Sequence, residues 1–268
     1  MTMALAAQGF LEIKGMRLEY RFCGPQPDES PTIVLLHEGL GSAGLWGDFP
    51  DKLSEATGAG IFAYSRAGYG KSSAVNLPRP LTYMHDEALV VLGSVLDAVG
   101  FREGILLGHS DGGSIATIYG GGVRDTRVKG LCLMAPHFFV EDISVALIRE
   151  VKEAYDQGDL RSRLARWHAH VDCAFRGWND AWLDPTFRAW NICEFVRRIN
   201  VPLLLMQGED DQYGTRAQIE VVQRHAGVPA TVILMPGVRH SPHRERPVQT
   251  LEAVCAFFAE RFPHMLAR

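Results

Sequence analysis

A chain of 268 residues, 47% of them hydrophobic, is long enough for one large domain or two small ones and has the composition of an ordinary globular protein. Its 27 Lys and Arg stand against 31 Asp and Glu, a net charge of −4 with no basic run or stripe, which argues against nucleic acid as a partner. Apolar stretches such as TIVLLH and VPLLLM are far short of the roughly 20 residues that span a bilayer. The opening MTMALAAQ has neither the basic start nor the sustained apolar middle of a secretory signal, so a cytoplasmic protein without a membrane partner is expected.

In chain order, residues 10–14 and 17–22 are extended runs with only Gly15 and Met16 between them, an antiparallel hairpin at the edge of a sheet. Segments 32–37, 60–64, 104–108 and 128–134 are short apolar runs, and segments 44–57, 81–99 and 112–120 between them carry a helical period. Strands apolar on both faces and separated by helices imply a parallel sheet covered on both sides. After LMAPHFF the rhythm changes. Residues 140–198 offer no strand candidate, and Trp167, Trp178, Trp182 and Trp190 all fall there. The sheet pattern resumes with VPLLLMQG, a helix over 215–225, ATVILMPG and a last helix over 248–261.

The expected fold class is therefore α/β, a mostly parallel eight-stranded sheet with helices on both faces. Residues 1–136 and 199–268 form its core, and residues 137–198 a helical lid inserted after the sixth strand, over the carboxyl edge where open α/β sheets bind ligands. The four tryptophans serve either a pocket beneath the lid or the lid's own core.

Gly108-His109-Ser110-Asp111-Gly112 fits G-x-S-x-G, with an apolar strand before it and a small-residue helix after it. The spacing has a mechanical cause: a strained turn exposes the serine, and the glycines remove side chains that would collide with strand and helix. A serine nucleophile needs a base, and the base an orienting acid, in the order Ser, Asp, His for this architecture. Glu209, Asp210 and Asp211 follow one late strand, and His240 and His243 follow the last. No metal or cofactor is expected. His168 and His170 in WHAH lack the four-ligand spacing of zinc, and five scattered cysteines without C-x-x-C suit reduced, buried thiols.

These residues resemble the α/β-hydrolase superfamily, in its branch of small lidded serine hydrolases that includes esterases, thioesterases, proline iminopeptidases and carbon–carbon hydrolases. The resemblance covers essentially the whole chain. It rests on LLHEGLGS, YSRAGYGKS, GHSDGG, GEDDQYG and HSPHRERP. It implies Asp211 as the acid, three residues after the loop glycine, and His240 as the base, five before Glu245 and seven before Pro247; Asp210 and His243 are the alternatives. It also implies an oxyanion hole from the backbone N–H groups of Gly39 and Asp111.

Two positions depart from the family pattern. Glu38 stands where glycine is usual, and is expected to pair with a cation such as Arg66 or to touch a polar part of the substrate. Asp111 stands where Met, Leu or Gln is common; its carboxylate is expected to face away from the oxyanion while its N–H faces in. The pocket is expected to draw on Glu38, His109 and the four insertion tryptophans.

The function implied is hydrolysis of a carboxylic ester, thioester or lactone of a small apolar or aromatic substrate through an acyl-serine. The alternatives are carbon–carbon hydrolysis of a diketone by the same three residues, aminopeptidase action, or a ligand-binding protein of low turnover. An aspartate nucleophile is missing, which disfavours epoxide hydrolases and haloalkane dehalogenases.

Overall fold

The structure, a computed structural model, describes residues 4–267. Eight strands form one sheet: β1 Gln8–Ile13, β2 Met16–Cys23, β3 Thr32–Leu36, β4 Gly60–Tyr64, β5 Gly104–His109, β6 Val128–Met134, β7 Leu203–Gly208 and β8 Ala230–Met235. Their spatial order is β1-β2-β4-β3-β5-β6-β7-β8, antiparallel through β1, β2 and the β2–β4 pairing and parallel from β4 to β8.

Each central strand is apolar on both faces because both faces are covered. Val34, Leu36, Leu106, Leu131 and Leu133 pack into one core, while Ile33, Leu35, Ile105, Leu107 and Cys132 pack into the other. Since successive side chains point to opposite faces, a strand between two helical layers must be apolar at every position. The sequence pattern and the sheet therefore agree.

Two local differences have physical causes. The hairpin turns at Lys14-Gly15 rather than Gly15-Met16, because both turn residues take positive φ, 51° and 78°, and glycine tolerates that far better than methionine; Met16 instead pairs with Ile13. The single helix expected over 44–57 is two pieces, a 3₁₀ turn Ala43–Trp46 and the α-helix Phe49–Thr57, broken at Gly47 with φ 62°. The stretch Tyr83–Ala98 is continuous, with a wider π turn over Glu87–Leu92.

Between β6 and β7 the chain forms the helices Asp142–Gln157, Leu160–Leu164, Val171–Leu183 and Cys193–Arg198 and the 3₁₀ turn Pro185–Ala189. The two ends of this insertion are tied by a bridge between Phe139 and Asn191 and by Ile192 N–H donating to the Phe138 carbonyl at 2.7 Å. No helix among the described residues is long and apolar enough to cross a membrane.

Candidate active site

Strand β5 ends at His109 and the helix Asp111–Gly122 begins two residues later, so the chain reverses at Ser110, with φ 52° and ψ −119°. A non-glycine residue at such φ is strained, and its neighbours must hold it there. Ser110 N–H donates to the Met134 carbonyl at the end of β6 (2.9 Å), and Ser110's own carbonyl accepts from Ser114 N–H at 3.0 Å. The flanking glycines are required by space: a Cβ on Gly108 would stand 2.2 Å from the Gly112 carbonyl oxygen, and one on Gly112 would stand 2.0 Å from that of Leu36.

Gly112→Ala accordingly reverses the usual sign of the change. Alanine in a helix is normally worth about 1 kcal/mol over glycine, but here the Cβ meets backbone that cannot rotate away. We expect a net loss of about 1–3 kcal/mol of stability, measured by urea unfolding.

The residue that follows β7 in space completes the constellation. Asp211 is buried, whereas Glu209 and Asp210 on the same turn are exposed. Its Oδ1 accepts from the backbone N–H of Tyr213 (2.9 Å) and Gly214 (3.3 Å) and lies 2.8 Å from His240 Nδ1. His240 Nε2 lies 2.9 Å from Ser110 Oγ. Burial pushes the Asp211 carboxyl up, but His240 and the Tyr213 amide outweigh it and hold the group below the ordinary carboxylate range.

The loop carrying His240 is held on both sides. Glu245 accepts from Arg239 N–H at 2.8 Å and Ser241 N–H at 3.0 Å, and the His240 carbonyl lies 2.8 Å from His109 Nε2. The alternative base, His243, makes no hydrogen bond and is buried against Trp46, Phe49 and His109.

The loop after β3 brings Glu38 and Gly39 to the same place. Arg66 is fully buried and donates to the carbonyls of His37 and Glu38, the latter at 3.1 Å, and His37 Nδ1 lies 2.7 Å from the Glu38 carbonyl. Arg66 thus shapes this loop through its backbone. It is not the partner of the Glu38 carboxylate, contrary to the sequence expectation: Arg244 is, at 3.2 Å, with His109 Nδ1 3.6 Å from the other oxygen. Arg244 comes from the short helix Pro242–Glu245, which tertiary folding alone brings beside β3. Burial pushes the Glu38 carboxyl up, yet His109 and Arg244 overcome this and leave it well below the usual range.

Arg244→Met should lower Tm by about 2–4 °C, the effect of about 1 kcal/mol in a chain of this size, and the loss should shrink in high salt because Arg244 is partly exposed. Gly39 is glycine for a further reason: a Cβ there would stand 2.2 Å from Trp178 Nε1. The insertion packs directly on this loop.

A cavity of about 160 Å³ opens over Ser110, with Gly39, Asp111, His137, Trp178, Trp182 and His240 in its wall. Glu38 and His109 also line it. Of the four tryptophans expected there, two are elsewhere. Trp167 is 44% exposed and lies over Gly44 in a separate groove. Trp190 packs on Phe187 and Trp182 of the insertion and on His85 of the core stretch Tyr83–Ala98. Helical periodicity identifies an apolar face but not what it packs against, so the sequence could not separate pocket from core here.

His168 makes no metal site: its Nδ1 accepts from Gly70 N–H at 2.9 Å and its Nε2 lies 3.1 Å from the Leu40 carbonyl, so both ring nitrogens are occupied in tying the insertion to two core loops. Among the described residues no group of three or more His, Cys, Asp or Glu is placed to hold a metal.

Sequence reasoning overlooked His137 and Tyr83. His137 lies in the cavity wall 5.6 Å from the His240 ring and 5.1 Å from Trp182. Burial drives its pKa down to about 3, keeping it neutral. Its place just past β6, at the carboxyl end of a central strand, was the available signal. Tyr83 donates its O–H to Asp111 Oδ2 at 2.6 Å and accepts from Trp182 Nε1–H at 3.1 Å. Nothing in the local sequence marked it.

Comparison with known proteins bears on the fold and the family. A proline iminopeptidase of Lactobacillus crispatus is 33% identical over 112 residues, 42% of this chain and 38% of that protein. The human (lyso)-N-acylphosphatidylethanolamine lipase is 33% identical over 115 residues, 43% of this chain and 33% of that one. These matches span only about two fifths of the relatives' length or less. Among solved structures, the enol-lactonase of Burkholderia xenovorans superposes with TM-score 0.72 at 19% identity, over 93% of this chain and 99% of its own. An esterase from a Rhodococcus species does so with TM-score 0.71 at 20% identity, over 96% and 100%; at such identities the likeness is one of fold. The profile of the alpha/beta hydrolase family matches residues 33–254, from β3 to the last helix, and the chain belongs to that family.

Proposed function

We propose that the protein is a serine hydrolase that cleaves a carboxylic ester, thioester or lactone of a small, apolar or aromatic substrate through an acyl-serine intermediate. The observation that carries this is the continuous path from Ser110 Oγ to His240 Nε2 at 2.9 Å and from His240 Nδ1 to Asp211 at 2.8 Å, at the floor of a cavity.

In this reading Ser110 Oγ attacks the acyl carbon while His240 Nε2 takes its proton, and Asp211, kept ionised, holds the imidazole in the productive tautomer and stabilises the imidazolium. The N–H groups of Gly39 and Asp111 receive the oxyanion. The imidazolium then protonates the leaving alcohol or thiol, and a water activated by the same histidine releases the acid. The segment 137–198 acts as the lid, since Ile148, Trp178 and Trp182 supply the apolar part of the cavity wall. The pairing of Glu38 with Arg244 supports the same reading, because it neutralises a carboxylate that would otherwise oppose an oxyanion nearby.

The test is labelling with a fluorophosphonate followed by peptide mass spectrometry. The expected result is a single adduct on Ser110; an unlabelled Ser110, or an adduct elsewhere, would overturn the assignment.

A further inference from the structure

The acyl-serine route takes only the backbone N–H of Asp111, and nothing in it explains the carboxyl that stands on that residue. As the first residue of the helix Asp111–Gly122, Asp111 has an N–H with no partner inside the helix, which leaves it free for an oxyanion. The direction of that N–H follows from the strained turn at Ser110, φ 52° and ψ −119°. Such a conformation lasts only where its neighbours over-determine it.

The Asp111 carboxyl is 1% exposed, and its Oδ2 accepts from Tyr83 O–H at 2.6 Å. The Tyr83 oxygen accepts in turn from Trp182 Nε1–H at 3.1 Å. The direction of these bonds is fixed by chemistry: an indole nitrogen donates and does not accept, so the phenol takes the indole hydrogen and turns its own toward the carboxyl. Burial first, and then the neighbouring Asp111, hold the Tyr83 phenol well above its usual pKa, so it keeps the proton it donates. Tyr83 is also held from behind. The Arg79 guanidinium lies 5.4 Å from the centre of its ring, and Arg79 is itself anchored on the Ala67 carbonyl and the Tyr69 hydroxyl.

The three linked residues come from separate parts of the chain. Tyr83 opens the stretch Tyr83–Ala98, Asp111 follows β5, and Trp182 belongs to the insertion helix Val171–Leu183. Asp111 and Trp182 line the cavity over Ser110, whereas Tyr83 lines a different one with Arg79 and Val91, so it acts through the other two.

We propose that Tyr83 is a positioning residue: by tying Trp182 of the insertion to the Asp111 carboxyl, it holds the Asp111 N–H in line for the oxyanion and couples the seating of the insertion to the oxyanion hole. A side chain pinned at its carboxyl restrains the Cα it hangs from, and that Cα is bonded to the nitrogen in question. The two hydrogen bonds act in series. Lifting Trp182 loosens Tyr83, and a loosened Tyr83 releases Asp111. This inference rests on the acyl-serine reading above.

The experiment measures p-nitrophenyl butyrate turnover per fluorophosphonate-labelled Ser110 in Tyr83→Phe, Trp182→Phe and the double variant. Tyr83→Phe should lower kcat by about tenfold to a hundredfold, less than outright loss of an oxyanion donor, with KM changed by less than about threefold. Trp182→Phe keeps an aromatic ring and removes the donor; it should lower kcat by about threefold to tenfold, and lower it no further once Tyr83 is replaced. A trifluoromethyl ketone reports on the hole itself. Ser110 Oγ adds to its carbonyl carbon, the hydroxyl proton passes to His240, and the carbonyl oxygen becomes the oxyanion, so its inhibition constant should rise in step with the fall in kcat/KM.

Unchanged turnover per labelled site in Tyr83→Phe, a loss confined to KM, or losses from the two substitutions that multiply overturns the coupling. A merely structural tyrosine would lower Tm and the labelled fraction and leave those rates alone. Should Tyr83→Phe not fold, Trp182→Phe decides by itself, and a kcat within about twofold of the wild type overturns the coupling. If Ser110 takes no label in the wild type, the serine-hydrolase reading fails instead; a labelled Ser110 with kcat intact in the variants sinks only the present inference.

Discussion

Replacing Ser110 by alanine is expected to lower kcat/KM for p-nitrophenyl esters by about 10⁴- to 10⁶-fold, with no change in far-UV circular dichroism. The size follows from the geometry. Ser110 Oγ sits 2.9 Å from the base it would give its proton to, so the alanine variant retains the cavity and the oxyanion donors but has nothing to form the covalent bond. What remains is the modest acceleration that positioning and oxyanion stabilisation give to attack by water.

The same assay discriminates between the acids. Asp211→Asn should cost up to about 10⁴-fold by allowing the wrong histidine tautomer, whereas Asp210→Asn should change little, because Asp210 is exposed and makes no contact with His240. Activity surviving in Ser110→Ala, or lost in Asp210→Asn, would place the chemistry elsewhere.

Acid should unfold this protein unusually early. His37, His137, His168 and His243 are all buried, and burial is the first cause that drives each below the ordinary histidine pKa. Arg66 adds to the depression at His37 and His240 at His137, while Glu38 and Asp211 only partly offset it. At His243 the nearby His109 deepens it, and at His168 the Leu40 carbonyl, Glu38 and Glu19 oppose it.

A histidine whose folded pKa is depressed gives up stability as pH falls below its unfolded pKa of about 6.5, at about 1.4 kcal/mol per pH unit. For His137 the loss continues down to about pH 3. Asp111 and Glu87 act in the opposite sense. Their folded pKa values are raised by burial, so they are most stabilising when protonated and return some stability as pH falls toward about 4. Four histidines that give up stability as pH falls stand against two carboxyls that return it, so a net loss is expected between about pH 6.5 and pH 5.

Urea unfolding between pH 5 and pH 8 measures this, and a flat profile would refute it. His243→Leu isolates one contribution. The ring makes no hydrogen bond and lies among Trp46 and Phe49, so the variant should lose about one proton from the slope and gain stability at pH 5.

Much of the architecture was legible in the chain because sheet and helix write different periods. Strands β4 and β6 begin and end where the apolar runs do, since a buried parallel strand must be apolar on both faces and its flanking turns cannot be. The Ser110 turn was legible for a similar reason: it needs glycine on both sides, and Gly108 and Gly112 each abut backbone less than 2.5 Å from where a Cβ would stand. The exclusion of a continuous helix over 44–57 was less visible, because a lone Gly47 is compatible with a helix until its φ of 62° is known.

What the sequence determined by itself was thus local and periodic: eight strands, their covered faces, the insertion between β6 and β7, and a serine on a strained turn followed at a distance by acids and histidines. The tertiary structure decided everything that depends on which loop meets which. It put Asp211 in the interior and Asp210 in solvent, and turned His240 to Ser110 and His243 to Trp46. It gave Glu38 to Arg244 across 206 residues, and placed Trp178 and Trp182 in the cavity wall but Trp167 outside it. The physical reason is that strand and helix periods are set by a residue's near neighbours. The direction of a loop side chain is set by packing between elements far apart in the chain, and no spacing within the chain encodes it.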